Sequence, residues 1–302
     1  MMDGRRYDVI VVGGGLGGVC AACAAADGGA RTLLVERYGF LGGTATAGMV
    51  TIFMSYRVGT KRLTTGIFNE LLARLSEAGG LDANGDIFED EAMKFALDDM
   101  VSEHGVEVLF HSVLGGVQRA GRRIKAVELF TKSGRIALEA EIFIDSTGDG
   151  DLAAMAGAQF EVGREEDGLT QPMSLSFRIG NVAALPQGMT RWDLRRELTA
   201  ILQDAKQAGE IAQSCDAVRA IPTLQPTIWY FNATRVLDRS GLDAFDLTAA
   251  EIEGRRQVYE LFRLFKARSP RFKDSYLLKM GVQVGVRETR RVMGAYTLTV
   301  DD

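Results

Sequence analysis

The stretch that decides the fold is Tyr7-Asp8-Val9-Ile10-Val11-Val12-Gly13-Gly14-Gly15-Leu16-Gly17-Gly18-Val19, read together with Glu36. Four β-branched residues in a row, Val9 to Val12, predict a short strand buried on both faces. The glycines follow without a gap, and the small residues Gly17–Ala26 predict a helix that ends at Asp27-Gly28-Gly29. Arg31–Val35 predicts a second strand, stopping at Glu36. Strand, glycine turn, helix and strand make a βαβ unit and imply a parallel sheet.

Within that unit Gly13, Gly15 and Gly18 have the Gly-x-Gly-x-x-Gly spacing, and Glu36 lies about twenty residues on, as a dinucleotide fingerprint requires. Gly13 permits the tight turn, Gly15 lets a diphosphate approach the backbone, and Gly18 lets the helix pack close to the sheet. The helix N-terminus faces the phosphates. Glu36 can accept from ribose hydroxyls and would repel a 2′-phosphate, which disfavours NADP. The bland reading is a glycine-rich turn with no ligand, and it leaves the spacing of Glu36 unexplained.

NAD and FAD share this fingerprint. Two features favour FAD. Glu36-Arg37 leads into Gly39-Phe40-Leu41-Gly42-Gly43-Thr44, a loop able to run along an extended cofactor. Further on, Gly116–Gln118, Lys125–Thr131 and Ile136–Ala140 alternate in polarity between turn signals, predicting a β-meander where a plain NAD domain would repeat its βα units. Between these regions, Ile67–Ala78 and Asp90–Glu103 predict helices and Val106–Phe110 a strand. Ile142–Ile144 predicts a separate short strand ending at Asp145-Ser146-Thr147-Gly148. In the second half, Ser174–Ile179, Thr227–Asn232 and Leu277–Val286 read as strands, and Arg191–Ala208 and Thr248–Lys266 as helices. Val162–Leu169, charged and glycine-containing, is the softest linker.

Composition bounds the alternatives. At 302 residues and 46% hydrophobic, the chain can bury a large core. A net charge of −5, with no basic stripe, argues against nucleic acid. Three cysteines are too few for a disulfide framework in a chain this long, so a reducing, cytoplasmic setting is the default. Two histidines leave little for histidine metal sites or triads, and no metal is expected. The uncharged run Val9–Ala26 has the outline of an export signal, but five glycines in its middle make it a poor membrane helix.

The residues Tyr7–Gly18, Leu34–Gly48 and Ile144–Ala156 resemble a bacterial FAD-dependent oxidoreductase family within the glutathione-reductase-like flavoproteins. Further signatures are Phe143–Asp151, Gln171–Ser174, Asn232-Ala233-Thr234-Arg235, Leu247–Gln257 and Gly285–Arg291, so the resemblance spans the chain. It implies an α/β fold: an FAD-binding Rossmann-like parallel sheet with a β-meander, plus an inserted mixed α+β substrate domain. The implied divisions are an FAD-binding domain over 1–165, a substrate or cap domain over 166–280, and a return toward the first domain over 281–302. Carried over by position, Gly13, Gly15, Leu16, Gly17 and Gly18 hold the FAD diphosphate. Glu36 holds the adenosine ribose, and Arg37 flanks the adenine side. Gly42, Gly43 and Thr44 lie near the diphosphate and flavin, and Val113 offers its backbone to adenine. Thr147, Gly148 and Asp149 pass close to the cofactor.

The implied activity is hydride transfer from a small organic substrate to flavin. A non-redox flavoenzyme, an isomerase or lyase, fits the same residues. Family members continue past the equivalent of Asp302 with a strand and helix that contact the cofactor. That departure keeps open a truncated gene product, or a split-enzyme subunit whose partner chain supplies the segment. Homo-oligomerisation is also open.

Catalytic residues are not legible. Arg287, Glu288, Arg290 and Arg291 cluster where the chain returns to the first domain, and could bind a carboxylate, tune a flavin, or form a structural salt-bridge knot. Arg178 and Arg235 have the same standing. Trp229 and Tyr230 read as core more readily than as a stacking platform. Cys20-x-x-Cys23 has redox spacing, but its alanine neighbours favour plain packing. Cys215 reads as a bystander, His104 as a helix-end cap and His111 as lying near the adenine side. Asn232-Ala233-Thr234 forms a sequon with no export signal to make it relevant.

Overall fold

The computed structural model describes residues 2–54, 56–59 and 61–302, with side chains described from Arg6 onward. The opening βαβ unit is β1 (Met2–Val12), α1 (Leu16–Asp27) and β2 (Thr32–Val35). A two-residue hairpin, β3 (Arg57–Val58) and β4 (Lys61–Arg62), precedes helices α2 (Ile67–Glu77) and α3 (Asp90–Glu103). Then come β5 (Glu107–Leu109), β6 (Val113–Ala120), β7 (Arg123–Thr131), β8 (Gly134–Asp145) and the short helix α4 (Asp151–Met155). The first sheet has the order β5-β2-β1-β8-β7-β6. β5, β2, β1 and β8 run parallel, and β6–β7–β8 is the antiparallel meander.

The separate strand predicted over Ile142–Ile144 does not exist. Gly134–Asp145 is one strand of twelve residues. Its first half pairs with β7, and its second half pairs with β1, from Val9↔Ile142 to Val12↔Asp145. The strand does not stop at Glu141: β1 pairs with it from Ala137 onward, while the pairing with β7 ends at Glu139. Among the described residues, Ile142–Asp145 pair on the β1 side alone.

Helices α1–α3 cover one face of this sheet around Val11, Leu34, Leu75, Met93 and Met100. The meander closes the other face around Ile10, Leu33, Val127 and Leu129. Cys23 is fully buried among the alanines of α1, and burial pushes its thiol up to about 12. Such a thiol is protonated at neutral pH, which favours the packing reading of Cys20-x-x-Cys23.

The second half builds β9 (Phe160–Val162), β10 (Phe177–Gly180), α5 (Arg191–Gln207), β11 (Arg219–Pro222), β12 (Trp229–Asn232), α6 (Ala244–Arg268), β13 (Tyr276–Met280) and β14 (Arg290–Val292). The antiparallel sheet β11-β12-β10-β13 turns Phe177, Ile179 and Phe231 onto α5 and α6. Trp229 sits in that core, and the Tyr230 hydroxyl pairs with Ser176 at 2.9 Å on the opposite face. α5 begins with a capping box between Thr190 and Asp193, and α6 with Asp243 accepting from Phe245 and Asp246 N–H. The strand predicted over Leu277–Val286 stops at Met280. Gly281 N–H then bonds Ser176 O and Val282 N–H bonds Ala47 O, so the chain leaves its sheet to pack on the Gly43–Met49 loop.

Val162–Leu169 is not slack. Val162 pairs with Arg290 in the β9–β14 ladder, and Arg164 and Leu169 close a hydrogen-bonded turn.

Candidate cofactor site

The site grows from the Gly13–Gly18 turn. Gly13 has φ +102°, and a Cβ there would lie 2.2 Å from Ser146 O. A Cβ on Gly18 would lie 1.8 Å from Gly13 O. These two glycines are demanded by the fold itself, as close approaches of turn, helix and β8. Gly15 and Gly17 differ: a Cβ on Gly15 meets only Gly43 Cα at 4.0 Å, and one on Gly17 meets nothing. Both line an open cavity of about 640 Å³.

That cavity is walled by Gly15, Leu16, Gly17 and Gly18 from the α1 N-terminus, by Gly42, Thr44 and Ala45, and by Asp145, Ser146, Gly148, Gly150, Ala153 and Val292. The first intrahelical bond of α1 runs from Val19 N–H to Gly15 O, and no side chain among the described residues caps the helix. The N–H groups of Leu16, Gly17 and Gly18 thus lack intrahelical partners where the helix meets the cavity, and the helix dipole adds positive potential there. No acidic residue occupies the first turn. This is an anion cradle, and it fits the diphosphate of a dinucleotide.

Of the residues expected from sequence, Gly15, Leu16, Gly17, Gly18, Gly42, Thr44 and Gly148 come together on that wall. Gly13, Glu36, Arg37, Gly43, Val113, Thr147 and Asp149 do not. Gly43 lies just behind, where a Cβ would meet Gly15 Cα at 3.0 Å, and Gly42 N–H bonds Gly14 O at 2.8 Å. Glu36 is buried. Its carboxylate accepts Gly14 N–H at 2.7 Å and Tyr38 N–H at 2.9 Å, tying the glycine turn to the end of β2. Each of its oxygens keeps a further lone pair. Ser112 N–H bonds Glu36 O, which brings Val113 to the same sheet end. Arg37 reaches across to Gln283 at 2.8 Å and stacks over Tyr38. His111 packs against Gly39 close by.

Sequence reasoning missed Asp145, Ser146, Gly150, Ala153 and Val292. Asp145 organises the far wall: Oδ1 accepts from Thr147 N–H and Oγ1–H, and Oδ2 from Ala153 N–H at 2.8 Å. The signal was present, since Asp-x-Thr after a strand is the pattern of a carboxylate folding its own loop. Val292 carried no such signal, because its place depends on the β9–β14 pairing.

The four clustered residues of the return segment stitch it down. Arg287 donates to Ser174 Oγ at 2.8 Å and Asn232 Oδ1 at 3.2 Å. Glu288 accepts from Gln171 N–H and pairs with Arg291, which also reaches Gly163 O. Arg290 donates to Asp149 O and Asp151 Oδ1. Thr289 donates to Asp149 Oδ1, whose carboxyl is pushed upward mainly by burial. Arg178 is buried between Glu89 and Asp90, at 3.3 and 2.7 Å, with Lys279 on Asp90 at 2.7 Å. His104 ends α3, and its ring bridges Asp27 and Glu70.

A second cavity, of about 460 Å³, lies beyond β14. Its wall includes Val162, Leu169, Pro172, Arg235, Leu237 and Glu288. Among the described residues there is no cluster of metal-ligating side chains, and no helix is long and apolar enough to cross a membrane.

The fold has known counterparts. The chain overlays a geranylgeranyl bacteriochlorophyll reductase-like protein from Thermoplasma acidophilum with TM-score 0.56 at 18% identity, covering 93% of this chain and 66% of that one. For the anhydrotetracycline hydroxylase OxyS from Streptomyces rimosus the values are 0.54 and 16%, covering 95% and 54%. For the p-nitrophenol 4-monooxygenase PnpA from Pseudomonas putida DLL-E4 they are 0.55 and 12%, covering 95% and 69%. The chain thus spans between about half and about two thirds of these proteins, and at such identities the likeness is one of fold. No curated protein matches the chain. The model of the FAD dependent oxidoreductase family matches residues 8–302, with the glycine turn at its start and the Arg290–Val292 wall near its end, so the chain belongs to that family.

Proposed function

We propose that this chain binds FAD across the Gly13–Gly18 turn and acts as an oxidoreductase on a small organic substrate. The observation that carries the reading is the uncapped N-terminus of α1 opening onto a cavity whose wall lacks Cβ atoms at Gly15, Gly17 and Gly148. FAD, when bound, supplies the hydride acceptor.

The chain's residues have separate tasks in this reading. The N–H groups of Leu16, Gly17 and Gly18 bind the diphosphate. Gly13 and Gly18 bring helix and sheet close enough for that. Gly42, Gly43 and Thr44 flank the same groups from the opposite loop. Glu36 fixes the turn and offers its remaining lone pairs to the ribose, with Arg37 and Val113 on the adenosine side. Gly148 stands on the far wall, with Thr147 and Asp149 flanking it in a loop that Asp145 holds. Arg287, Glu288 and Arg290 position the return segment rather than act in chemistry, because each is already engaged by neighbouring groups. The divisions are 1–165 for the cofactor, 166–280 for the substrate and 281–302 for the return.

The test is an absorbance spectrum of the purified chain, with and without FAD, from about 300 to 550 nm. Flavin bands co-eluting with the protein and bleaching anaerobically with an organic donor support the reading. Protein that takes up no FAD overturns it. Uptake followed by product formation without bleaching or an acceptor replaces it with a non-redox flavoenzyme.

A further inference from the structure

We propose that the second cavity is a binding site for a small organic carboxylate, with Arg235 as its anion receptor.

Arg235 follows β12 in a segment with no regular structure, yet its main chain is held from several sides. Thr234 Oγ1 accepts from Leu175 N–H at 2.7 Å and donates to Leu175 O at 3.0 Å. Gln257, buried on α6, accepts Arg235 N–H at 2.8 Å and donates to Arg235 O at 3.1 Å. Val236 and Met173 exchange both backbone bonds. These buried polar groups are hydrogen-bonded, so together they hold the main chain on both sides of the Arg235 side chain in place.

That side chain is exposed on the cavity wall and has no hydrogen-bond or ion-pair partner among the described residues. The other cations on the wall are engaged: Arg164 by Asp167 and Arg239 by Asp246. Glu288 is held by Arg291 and Gln171 N–H, and the nearby Asp216 by Lys206 at 2.8 Å. An unpaired guanidinium fork on a held backbone can match a carboxylate in two parallel N–H···O bonds. Leu169, Pro172 and Leu237 give the cavity apolar walls for the rest of an organic acid, and its volume suits a small molecule. Asp238, also on the wall, opposes a dianion such as phosphate.

The place is suggestive as well. Glu288 lines this cavity and Val292 lines the cofactor cavity, so one short segment is the wall of both. The assignment of the carboxylate site stands whether or not the cofactor reading holds.

Titration calorimetry with 3-phenylpropionate and its neutral amide, 3-phenylpropionamide, tests it. The acid binds at least about ten-fold more tightly than the amide. Arg235→Gln removes that preference and leaves the thermal melt unchanged, since the side chain is exposed; Arg235→Lys keeps part of it. Equal binding of acid and amide, no uptake of the acid, or an unchanged preference in Arg235→Gln overturns the proposal. Inorganic phosphate that displaces the acid at equal concentration overturns the carboxylate class.

Discussion

The Thr289 hydroxyl donates to Asp149 Oδ1 at 2.7 Å, joining the loop after β8 to a segment 140 residues later. Burial raises the Asp149 carboxyl, and Thr289, Arg37 and Arg290 only partly offset that. Thr289→Val leaves the half-buried carboxyl without its hydroxyl donor and costs about 1 kcal/mol, read from urea denaturation. Asp149→Asn keeps an acceptor for Thr289 and removes the half-buried charge. A raised acid destabilises the fold fully above its folded pKa, and the effect fades as pH falls from there to the lower unfolded value. The Asn variant is thus as stable as the parent, or more so, at pH 7, and its advantage vanishes in acid. A large loss of stability in Asp149→Asn at pH 7 would count against this account.

His104 carries the opposite dependence. Its ring contacts Asp27 at 2.6 Å and Glu70 at 3.0 Å, and the bond to Asp27 above all raises its pKa. A raised basic group contributes stability that is fully present below the unfolded value, about 6.5, and is lost as pH rises through the folded value. Melting curves of the parent and His104→Gln are expected to differ most below the unfolded value and to converge as pH rises past the folded one. The difference at low pH is of the order of 1 kcal/mol, since Asp27 is largely exposed. Parallel curves across that window would place the histidine's worth in packing.

Arg178 is a buried cation whose Nε and Nη2 find no hydrogen-bond partner among the described residues, wedged between the α3 N-terminus and the second sheet. Arg178→Met removes it and, among the described residues, leaves the buried Asp90 with Lys279 as its cation and Glu89 without one. The expected loss is about 3–5 kcal/mol, the cost of stranding a buried charge. Adding Asp90→Asn to Arg178→Met should recover part of it, which a double-mutant cycle reads directly. Additive effects would mean that the two charges do not sense one another.

Sequence pattern sufficed wherever the structure is local. The βαβ unit, the meander and the helix over Asp90–Glu103 follow from periodicity and glycine placement, and so does the cavity wall of Gly15 to Gly18. It failed where the determinant is a distant neighbour. β9 and β14 are three residues each and exist because Phe160–Val162 pairs with Arg290–Val292. That ladder puts Val292 on the cofactor cavity. β8 reads as two strands because it serves two partners. Glu36, expected from sequence to hold a ribose, also accepts two N–H groups of its own turn, a second task set by how Tyr38 and Gly14 converge and carried by no local pattern.

The glycines allow folding and binding to be separated. Gly18→Ala places a Cβ 1.8 Å from Gly13 O, a backbone atom that can yield only by pushing α1 off the sheet. Its cost, about 3 kcal/mol or more, should appear in protein without any cofactor. Gly15→Val adds methyls toward the cavity, where the nearest atom to a Cβ is Gly43 Cα at 4.0 Å. Its backbone, φ −65° and ψ 175°, suits any residue. The Val variant should therefore melt with the parent when no FAD is present, and should lose FAD uptake and the rise in melting temperature that FAD gives the parent. Equal FAD uptake by Gly15→Val would move the cofactor away from the α1 N-terminus. Equal destabilisation by both substitutions would show that Gly15, like Gly18, is required by the fold alone.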